Sequence, residues 1–235
     1  MNNLTTYPVH ELFHTFQGEG VNVGQPAFFI RLFGCPLRCA WCDAAGTWHP
    51  DHVPTSVPRM RADELQKEVD KSGAPLVVVT GGEPCIHNLD PLVAAIHAGS
   101  MWQTEVALET SGAFEITGAF DWITVSPKRQ RMPVASSYCR ASEFKIIVES
   151  PADIDFYGEN LRQFVGTLDH PPIWLHPEWS HREDPVVLGA ISDAVKTYKG
   201  FFRAGWQLHK LYQVDYRDAR VQAPVPLGGD LRKGY

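Results

Sequence analysis

The sequence lacks three features that would each define a class of protein: a long apolar run, an excess of basic charge and a paired set of cysteines. No stretch approaches the roughly 20 apolar residues that cross a bilayer, and the first residues show no secretion signal. We therefore expect a cytoplasmic protein without membrane contact. The 21 basic residues are outnumbered by 27 acidic ones, which argues against direct nucleic-acid binding through a broad basic surface. The cysteine count of five is odd, and a chain of this size needs no disulfide for stability, so we expect free thiols.

What the chain does have is three cysteines in one short run. Cys35, Cys39 and Cys42 follow a C-x3-C-x2-C spacing, with Trp41 just before the last of them. Thiolates this close together bind soft metals or iron–sulfur clusters. A closed cluster or a structural zinc ion takes four ligands, so three thiolates leave one coordination position open. The spacing predicts a 4Fe–4S cluster with one iron free to bind a small chelating molecule.

Two other interpretations of these cysteines are weaker. A zinc site would need a fourth ligand, which His49 could supply, but the sequence holds no second C-x2-C pair. A cluster used only for electron transfer would need a fourth cysteine at a defined spacing. Cys85 and Cys139 are distant and isolated, so we expect each to be a small buried residue.

Strand and helix signals alternate along most of the chain. The predicted strands cover residues 27–33, 76–80, 106–108, 122–125, 144–148, 173–176 and 202–208. The predicted helices cover residues 62–71 and 89–98, and two more begin at Pro151 and Pro185. This alternation predicts an α/β fold with a mostly parallel sheet, open or partly closed into a barrel. Functional residues in such sheets gather at the carboxyl ends of the strands, where the cysteine run and a Gly-Gly-Glu-Pro segment at 81–84 both lie.

The cysteine run resembles that of the radical S-adenosylmethionine (SAM) superfamily. In that superfamily SAM chelates the free iron, and one electron from the cluster splits it to a 5′-deoxyadenosyl radical. The segment at 81–84 is similar to the superfamily's motif for the amino end of SAM, since glycines admit close backbone approach and Glu83 can accept from an amine. The resemblance implies a 4Fe–4S cluster and SAM as cofactors.

An ordered set of segments narrows the resemblance to the 7-carboxy-7-deazaguanine synthase family. The set comprises residues 16–20, 29–32, 34–36, 80–87, 109–112, 125–128 and 207–210. It implies ring contraction of 6-carboxy-5,6,7,8-tetrahydropterin to 7-carboxy-7-deazaguanine with release of ammonia, a precursor step for queuosine and related deazapurines. The implied fold is a reduced, partial β/α barrel over residues 1–215, followed by an irregular tail over residues 216–235. The resemblance also implies a homodimer, Mg²⁺ and an electron donor such as flavodoxin or ferredoxin.

The resemblance assigns residues to two ligands. Those implied at the pterin substrate are Phe16, Gln17, Gly18, Arg31, Thr80 and Glu109. Those implied at SAM are Trp41, Gly82, Glu83, Ser126, Pro127, Lys128, His176, Pro177, Glu178 and Trp179. The planar guanidinium of Arg31 suits a bidentate contact with the substrate carboxylate.

Two positions depart from the family. Ala44 stands where the family has a hydroxyl residue that ligates Mg²⁺, and a methyl group cannot bind a hard cation. Asp43 or Thr47 could substitute, or magnesium could be dispensable. Family members tend to end soon after the His-Lys segment, where the terminal carboxylate can reach the substrate. This chain continues for 20 residues past Asp215, which argues against that contact here.

Overall fold

The computed structural model describes residues 5–99, 104–165, 170–218 and 220–221. Its strands are β1 (Thr6–Phe16), β2 (Pro26–Leu32), β3 (Arg59–Arg61), β4 (Leu76–Gly81), β5 (Glu105–Thr110), β6 (Trp122–Val125), β7 (Glu143–Val148), β8 (Ile173–Pro177) and β9 (Arg203–Ala204). Its α-helices are α1 (Ala62–Ser72), α2 (Asp90–Gly99), α3 (Ala135–Arg140), α4 (Pro151–Val165), α5 (Pro185–Thr197) and α6 (Leu208–Tyr212).

The described strands form one open sheet in the order β3-β1-β2-β4-β5-β6-β7-β8-β9. Each neighbouring pair from β2 to β9 is parallel, whereas β1 runs antiparallel to both β2 and β3. The prediction of an α/β fold with a mostly parallel sheet is confirmed. Because parallel strands share their direction, the carboxyl ends of six of them, β2 and β4 to β8, meet at one edge.

Side chains alternate between the two faces of the sheet, and the faces differ in kind. Residues such as Phe28, Ile30 and Val79 are fully buried in a core that also holds Leu65 of α1 and Ile96 of α2. Each such side chain contributes about 1.5–3 kcal/mol through burial. The opposite face carries a smaller apolar cluster near the amino ends of the strands, followed by polar residues near their carboxyl ends. The helices therefore cover one face, and the other is left for a site.

The predicted helices and strands are confirmed with one exception. The strand expected over 202–208 is limited to Arg203–Ala204, because the chain then turns off the sheet and Leu208 N donates to Gly18 O (3.0 Å). The N-terminal proline of α5 is confirmed, and Asp184 caps that helix by accepting from Val186 N at 2.8 Å. Strand β1 was not predicted, because its buried positions do not alternate regularly.

Burial was expected for both isolated cysteines, and the structure confirms it for only one of them. Cys85 is buried as expected, whereas Cys139 is exposed on α3. The expectation was wrong because α3 is a short surface helix, and the residues that it buries are Ser137 and Tyr138.

No helix in the described ranges is long and apolar enough to cross a membrane. Of the tail predicted over 216–235, positions 219 and 222–235 lie outside the described residues. Within the described part, Asp218 accepts from His14 N of β1 at 3.0 Å, and Val221 packs against the apolar cluster of Phe13 and Phe29. The domain boundary at 215 stays a prediction.

Candidate active site

One pocket lies at the edge where the six parallel strands end, and most of the predicted site residues line it. The predicted residues on its wall are Phe16, Gln17, Gly18, Arg31, Cys35, Cys39, Trp41, Cys42, Thr80, Gly82, Glu83, Glu109, Ser126, Lys128, Pro177, Glu178 and Trp179. Pro127 and His176 are described by the structure but do not line the pocket wall. Residues separated by more than 160 positions in sequence thus meet at one site.

The three cysteines lie on the loop that follows β2. Gly34 N donates to Thr47 O (3.0 Å) and closes the base of this loop, and Leu37 and Ala113 form an apolar floor beneath the thiols. Burial raises the pKa of all three thiols, that of Cys42 to about 12. Among the described residues no three His, Cys, Asp or Glu side chains converge on a single metal ion. Three thiols facing one pocket are the donor set of a cluster that binds each on a separate iron, so the residues fit a 4Fe–4S group.

Two glycines allow the carboxyl end of β4 to pack closely against the start of the cysteine loop. A Cβ on Gly81 (φ 156°) would lie 2.3 Å from Leu32 O, and one on Gly82 would lie 2.4 Å from Gly34 O. Only glycine admits this approach. The contact lets Glu83 N donate to Gly34 O at 2.8 Å. The Gly-Gly pair therefore positions the cysteine loop as well as lining the pocket.

Glu83 is 1% exposed, and its carboxylate is saturated by the protein itself. One oxygen accepts from Cys85 N (3.0 Å) and Thr110 Oγ1 (2.6 Å). The other accepts from Ser111 N (2.8 Å) and from the Ser111 hydroxyl. A carboxylate has about four acceptor sites, so Glu83 joins the ends of β4 and β5. Its contact with SAM stays a prediction.

The residues predicted at the substrate lie at the end of β1, in the loop after it, and on β2, β4 and β5. Arg31 is paired in register with Thr80 across β2 and β4. The Arg31 guanidinium donates from Nε to Glu11 Oε1 at 2.6 Å and lies over the Phe13 ring. Gln17 Nε2 donates to Glu109 Oε1 at 2.9 Å. This end of the pocket combines a cation, an amide and a carboxylate, groups that can orient a polar heterocycle bearing a carboxylate.

A buried ion network crosses the same end of the pocket. Lys145 of β7 pairs with Glu19 and lies 3.7 Å from Glu109 Oε2. Burial alone would lower the pKa of Lys145, but Glu109 and Glu19 raise it above its usual range. Burial alone would raise the pKa of Glu19, but Lys145, which is both its closest charge and its hydrogen-bond donor, and two nearby histidines together lower it to about 2. Lys145 and Glu19 are therefore both ionised at neutral pH.

His176 lies behind the pocket wall. Its ring is fully buried, and its Nδ1 lies 3.8 Å from Glu19 Oε1. A Cβ on Gly205 would lie 2.2 Å from His176 Nε2, so the ring is packed against that glycine. Burial lowers the pKa of His176 to about 4, although Glu19 opposes the shift. The imidazole is therefore neutral, and its predicted contact with SAM stays a prediction.

The other residues predicted at SAM that line the pocket come from the cysteine loop, from the segment after β6 and from the end of β8 and the turn that follows it. Lys128 Nζ donates to Ser126 O (2.8 Å) and Oγ (2.6 Å) and lies 5.1 Å from the centre of the Trp41 ring. Burial lowers the pKa of Lys128. After β8, Glu178 accepts from Ser180 N at 3.0 Å and caps the turn that carries Trp179.

Of the three positions considered for magnesium, one has no side-chain ligand atom and the other two are already engaged within the protein. The side chain of Ala44 is a methyl group and has no atom that can ligate a metal ion. Asp43 is paired with Lys210 at 3.1 Å; burial opposes ionisation of Asp43, but Lys210 and Arg31 hold its pKa below the usual range. Thr47 is fully buried and donates its hydroxyl to Ala44 O at 2.6 Å. These residues do not fit a magnesium ion.

Sequence reasoning missed the residues that hold the site together. Glu143 accepts from Val21 N (2.9 Å), Thr124 Oγ1 (2.8 Å) and Trp174 Nε1 (2.8 Å) and so fixes the β1–β2 loop. Lys145, two residues later, forms the ion network. The signal that could have found both is a charged residue at every second position of an otherwise apolar strand, Glu143-Phe144-Lys145.

An open α/β sheet with three thiols in a pocket at its carboxyl edge defines a radical SAM enzyme with a 4Fe–4S cluster. The family described as a 4Fe-4S single cluster domain matches residues 16–115. The crystal structure of QueE from Escherichia coli superposes with a TM-score of 0.72 at 32% identity, covering 87% of this chain and 95% of that one.

Curated relatives give the family. The 7-carboxy-7-deazaguanine synthase of Synechocystis sp. is 41% identical over 175 residues, which is 74% of this chain and 79% of the relative. That of Flavobacterium psychrophilum is 34% identical over 210 residues, which cover 88% of this chain and 92% of the relative. That of Escherichia coli K12 is 37% identical over 207 residues, which cover 77% of this chain and 89% of the relative. The chain belongs to the 7-carboxy-7-deazaguanine synthase family.

Proposed function

We propose that this protein converts 6-carboxy-5,6,7,8-tetrahydropterin to 7-carboxy-7-deazaguanine with release of ammonia. The observation that carries the proposal is the meeting, in one pocket, of three thiols with a separate polar end built from Arg31, Gln17 and Glu109. A cofactor site alone would need only the thiols. The polar end matches a substrate that has both a carboxylate and a hydrogen-bonding ring.

Each end of the pocket has its own task. When bound at the cysteines, the cluster and SAM supply a carbon-centred radical that abstracts hydrogen. The guanidinium of Arg31 binds the carboxylate of the pterin, and the stacked Phe13 and Phe29 rings behind it (centroids 5.1 Å apart) limit its movement. Gln17, held by Glu109, presents its amide to the ring. Substrate and cofactor that fill the pocket would exclude water from the reacting atoms.

The direct test is turnover. Cluster-loaded protein is incubated without oxygen with a reductant, SAM and 6-carboxytetrahydropterin, and the product is identified by chromatography and mass spectrometry. We expect 7-carboxy-7-deazaguanine and ammonia in equal amounts. Absence of product from protein carrying four irons would refute the proposal.

Two alternative functions give different results in the same preparation. A zinc-stabilised binding module would contain one zinc and no iron. An activase that acts on a partner protein would cleave SAM in response to that protein and not to the pterin. The charged and amide groups at the substrate end favour the small polar substrate.

The proposal extends to partners and location. A radical SAM enzyme requires an electron donor, and we propose a flavodoxin or ferredoxin. We also propose a homodimer in the cytoplasm, whose reducing environment would keep the cluster cysteines as thiols. Turnover reconstituted with each purified donor tests the choice of electron donor. Light scattering of the loaded protein tests the homodimer.

A further inference from the structure

Two side chains outside the C-x3-C-x2-C run donate hydrogen bonds to the cluster cysteines. Gln130 Nε2 lies 3.2 Å from Cys39 Sγ, and Trp48 Nε1 lies 3.4 Å from Cys42 Sγ. Trp48 is half-buried, whereas Gln130 is an exposed residue whose amide turns towards the cysteine loop. Neither residue was singled out from the sequence, and neither lines the pocket wall among the described residues.

The direction of both hydrogen bonds is settled by chemistry. An indole nitrogen can only donate, so Trp48 is the donor to Cys42. The side-chain amide of Gln130 could be turned either way, but its nitrogen also lies 3.2 Å from Leu37 O, and a carbonyl oxygen only accepts. The nitrogen therefore faces both Leu37 and the sulfur.

Separate local structures hold the two donors in place. Gln130 lies in the turn after β6 that is closed by the bridge between Lys128 and Arg131. Trp48 follows the 3-10 turn Ala45–Thr47, and its backbone N donates to Ala45 O at 3.0 Å. The backbone that carries each donor is thus held by its own hydrogen bonds, independently of the other donor.

We propose that Gln130 and Trp48 raise the reduction potential of the 4Fe–4S cluster through these two N–H···S hydrogen bonds. Hydrogen bonds to the sulfurs are one of the means by which proteins set cluster potentials. On reduction the cluster gains one electron from an external one-electron donor, and the negative charge on its thiolates grows. The donated hydrogen stays on nitrogen, no bond breaks, and the reduced form gains more from the contact than the oxidised form.

The size of the effect follows from hydrogen-bond length. Removing the shorter contact, that of Gln130, is expected to lower the equilibrium constant for reduction about tenfold, which is ~59 mV for a one-electron couple. The longer contact of Trp48 is expected to contribute about threefold. Both effects make the cluster harder to reduce when the donor is removed.

The test compares reduction potentials of the loaded protein without pterin. Wild type, Gln130→Leu and Trp48→Phe are reconstituted to four irons per chain and titrated with a reductant, and the reduced cluster is followed by electron paramagnetic resonance. Trp122→Phe is the matched control, because it makes the same change in a tryptophan outside the pocket whose indole nitrogen has no hydrogen-bond partner among the residues that the structure describes.

We expect lower potentials for both variants and an unchanged potential for Trp122→Phe. Potentials equal to wild type in Gln130→Leu and Trp48→Phe would overturn the proposal, as would an equal fall in the control. If Gln130→Leu does not hold four irons, Gln130→Met is measured instead. That variant keeps a side chain of similar length, adds no charge and loses the donor, and an unchanged potential would again overturn the proposal. The proposal rests on the cluster and not on the substrate, so absence of pterin turnover leaves the potentials interpretable.

Discussion

Lys145 and Glu109 lie on different strands, β7 and β5, with Lys145 Nζ 3.7 Å from Glu109 Oε2. The same ammonium group pairs with Glu19 of the β1–β2 loop. One lysine thus neutralises two acids from distant parts of the chain. Since Glu109 holds Gln17, Lys145 also positions the residues proposed to contact the substrate.

Replacement of Lys145 by methionine should destabilise the protein strongly. It leaves two carboxylates without their cation, and an uncompensated buried charge costs roughly 3–5 kcal/mol. Urea unfolding of the cluster-free protein measures the free energy of unfolding. Lys196→Met is the matched control, because the Lys196–Asp193 pair is exposed and such pairs contribute little. A similar small change in both variants would contradict the buried network.

His176 should make stability depend on pH between about 4 and 6.5. Its pKa is about 4 in the fold and 6.5 in the unfolded chain, so the unfolded chain binds more protons in that interval. The free energy of unfolding therefore falls as the pH falls through it, by roughly 3 kcal/mol in total. Glu19 stays ionised throughout because its pKa is held low. Unfolding at a series of pH values should show a shallower slope in His176→Gln, and an unchanged slope would show that His176 does not cause it.

Arg31→Lys should impair turnover of the pterin and spare SAM binding. Lysine keeps the charge that neutralises Glu11 but loses the planar fork for the substrate carboxylate. Losing one charge-assisted hydrogen bond of up to about 3 kcal/mol lowers kcat/KM on the order of 10²-fold. SAM binding, measured by calorimetry on the loaded protein, serves as the control. A kcat/KM equal to wild type would remove the carboxylate assignment.

Glu83→Gln should destabilise the junction of β4 and β5 although the two side chains have the same shape. The amide nitrogen would face N–H or O–H groups that now donate to a carboxylate oxygen, at a cost of about 1–3 kcal/mol. Thermal unfolding of the cluster-free protein measures the effect. Glu115→Gln, at an exposed carboxylate that accepts from Ser136, should leave stability unchanged. Equal stability of both variants would argue against the four-donor arrangement.

Magnesium should not change the rate of the wild-type enzyme. Ala44 offers no ligand, Asp43 is paired with Lys210, and the Thr47 hydroxyl is engaged with Ala44 O. Rates are compared with the ion and with a chelator, for wild type and for Ala44→Thr, which restores a hydroxyl. A loss of wild-type activity in the chelator would show that other groups hold the ion.

The local sequence was sufficient for the cysteine run, the parallel strands and the polar residues at their carboxyl ends. These features depend on residue spacing and on short apolar runs, which are visible without any partner. The local sequence did not allow prediction of strand β1, of the short extent of β9 or of the exposure of Cys139. Each of these depends on what the segment packs against: β1 pairs with β2, and the chain after Ala204 is drawn to Gly18.

By itself, then, the sequence determined that three thiols and a set of strand-end polar groups exist, and its ordered motifs determined the family. Only the tertiary structure decided what those groups do to one another: that Glu83 is saturated by Thr110 and Ser111, and that Asp43 is held by Lys210. The physical reason is that a charge or a hydrogen-bond donor acts within a few ångströms, and the partners here come from distant strands. Their pairing exists only once the sheet has aligned the strands.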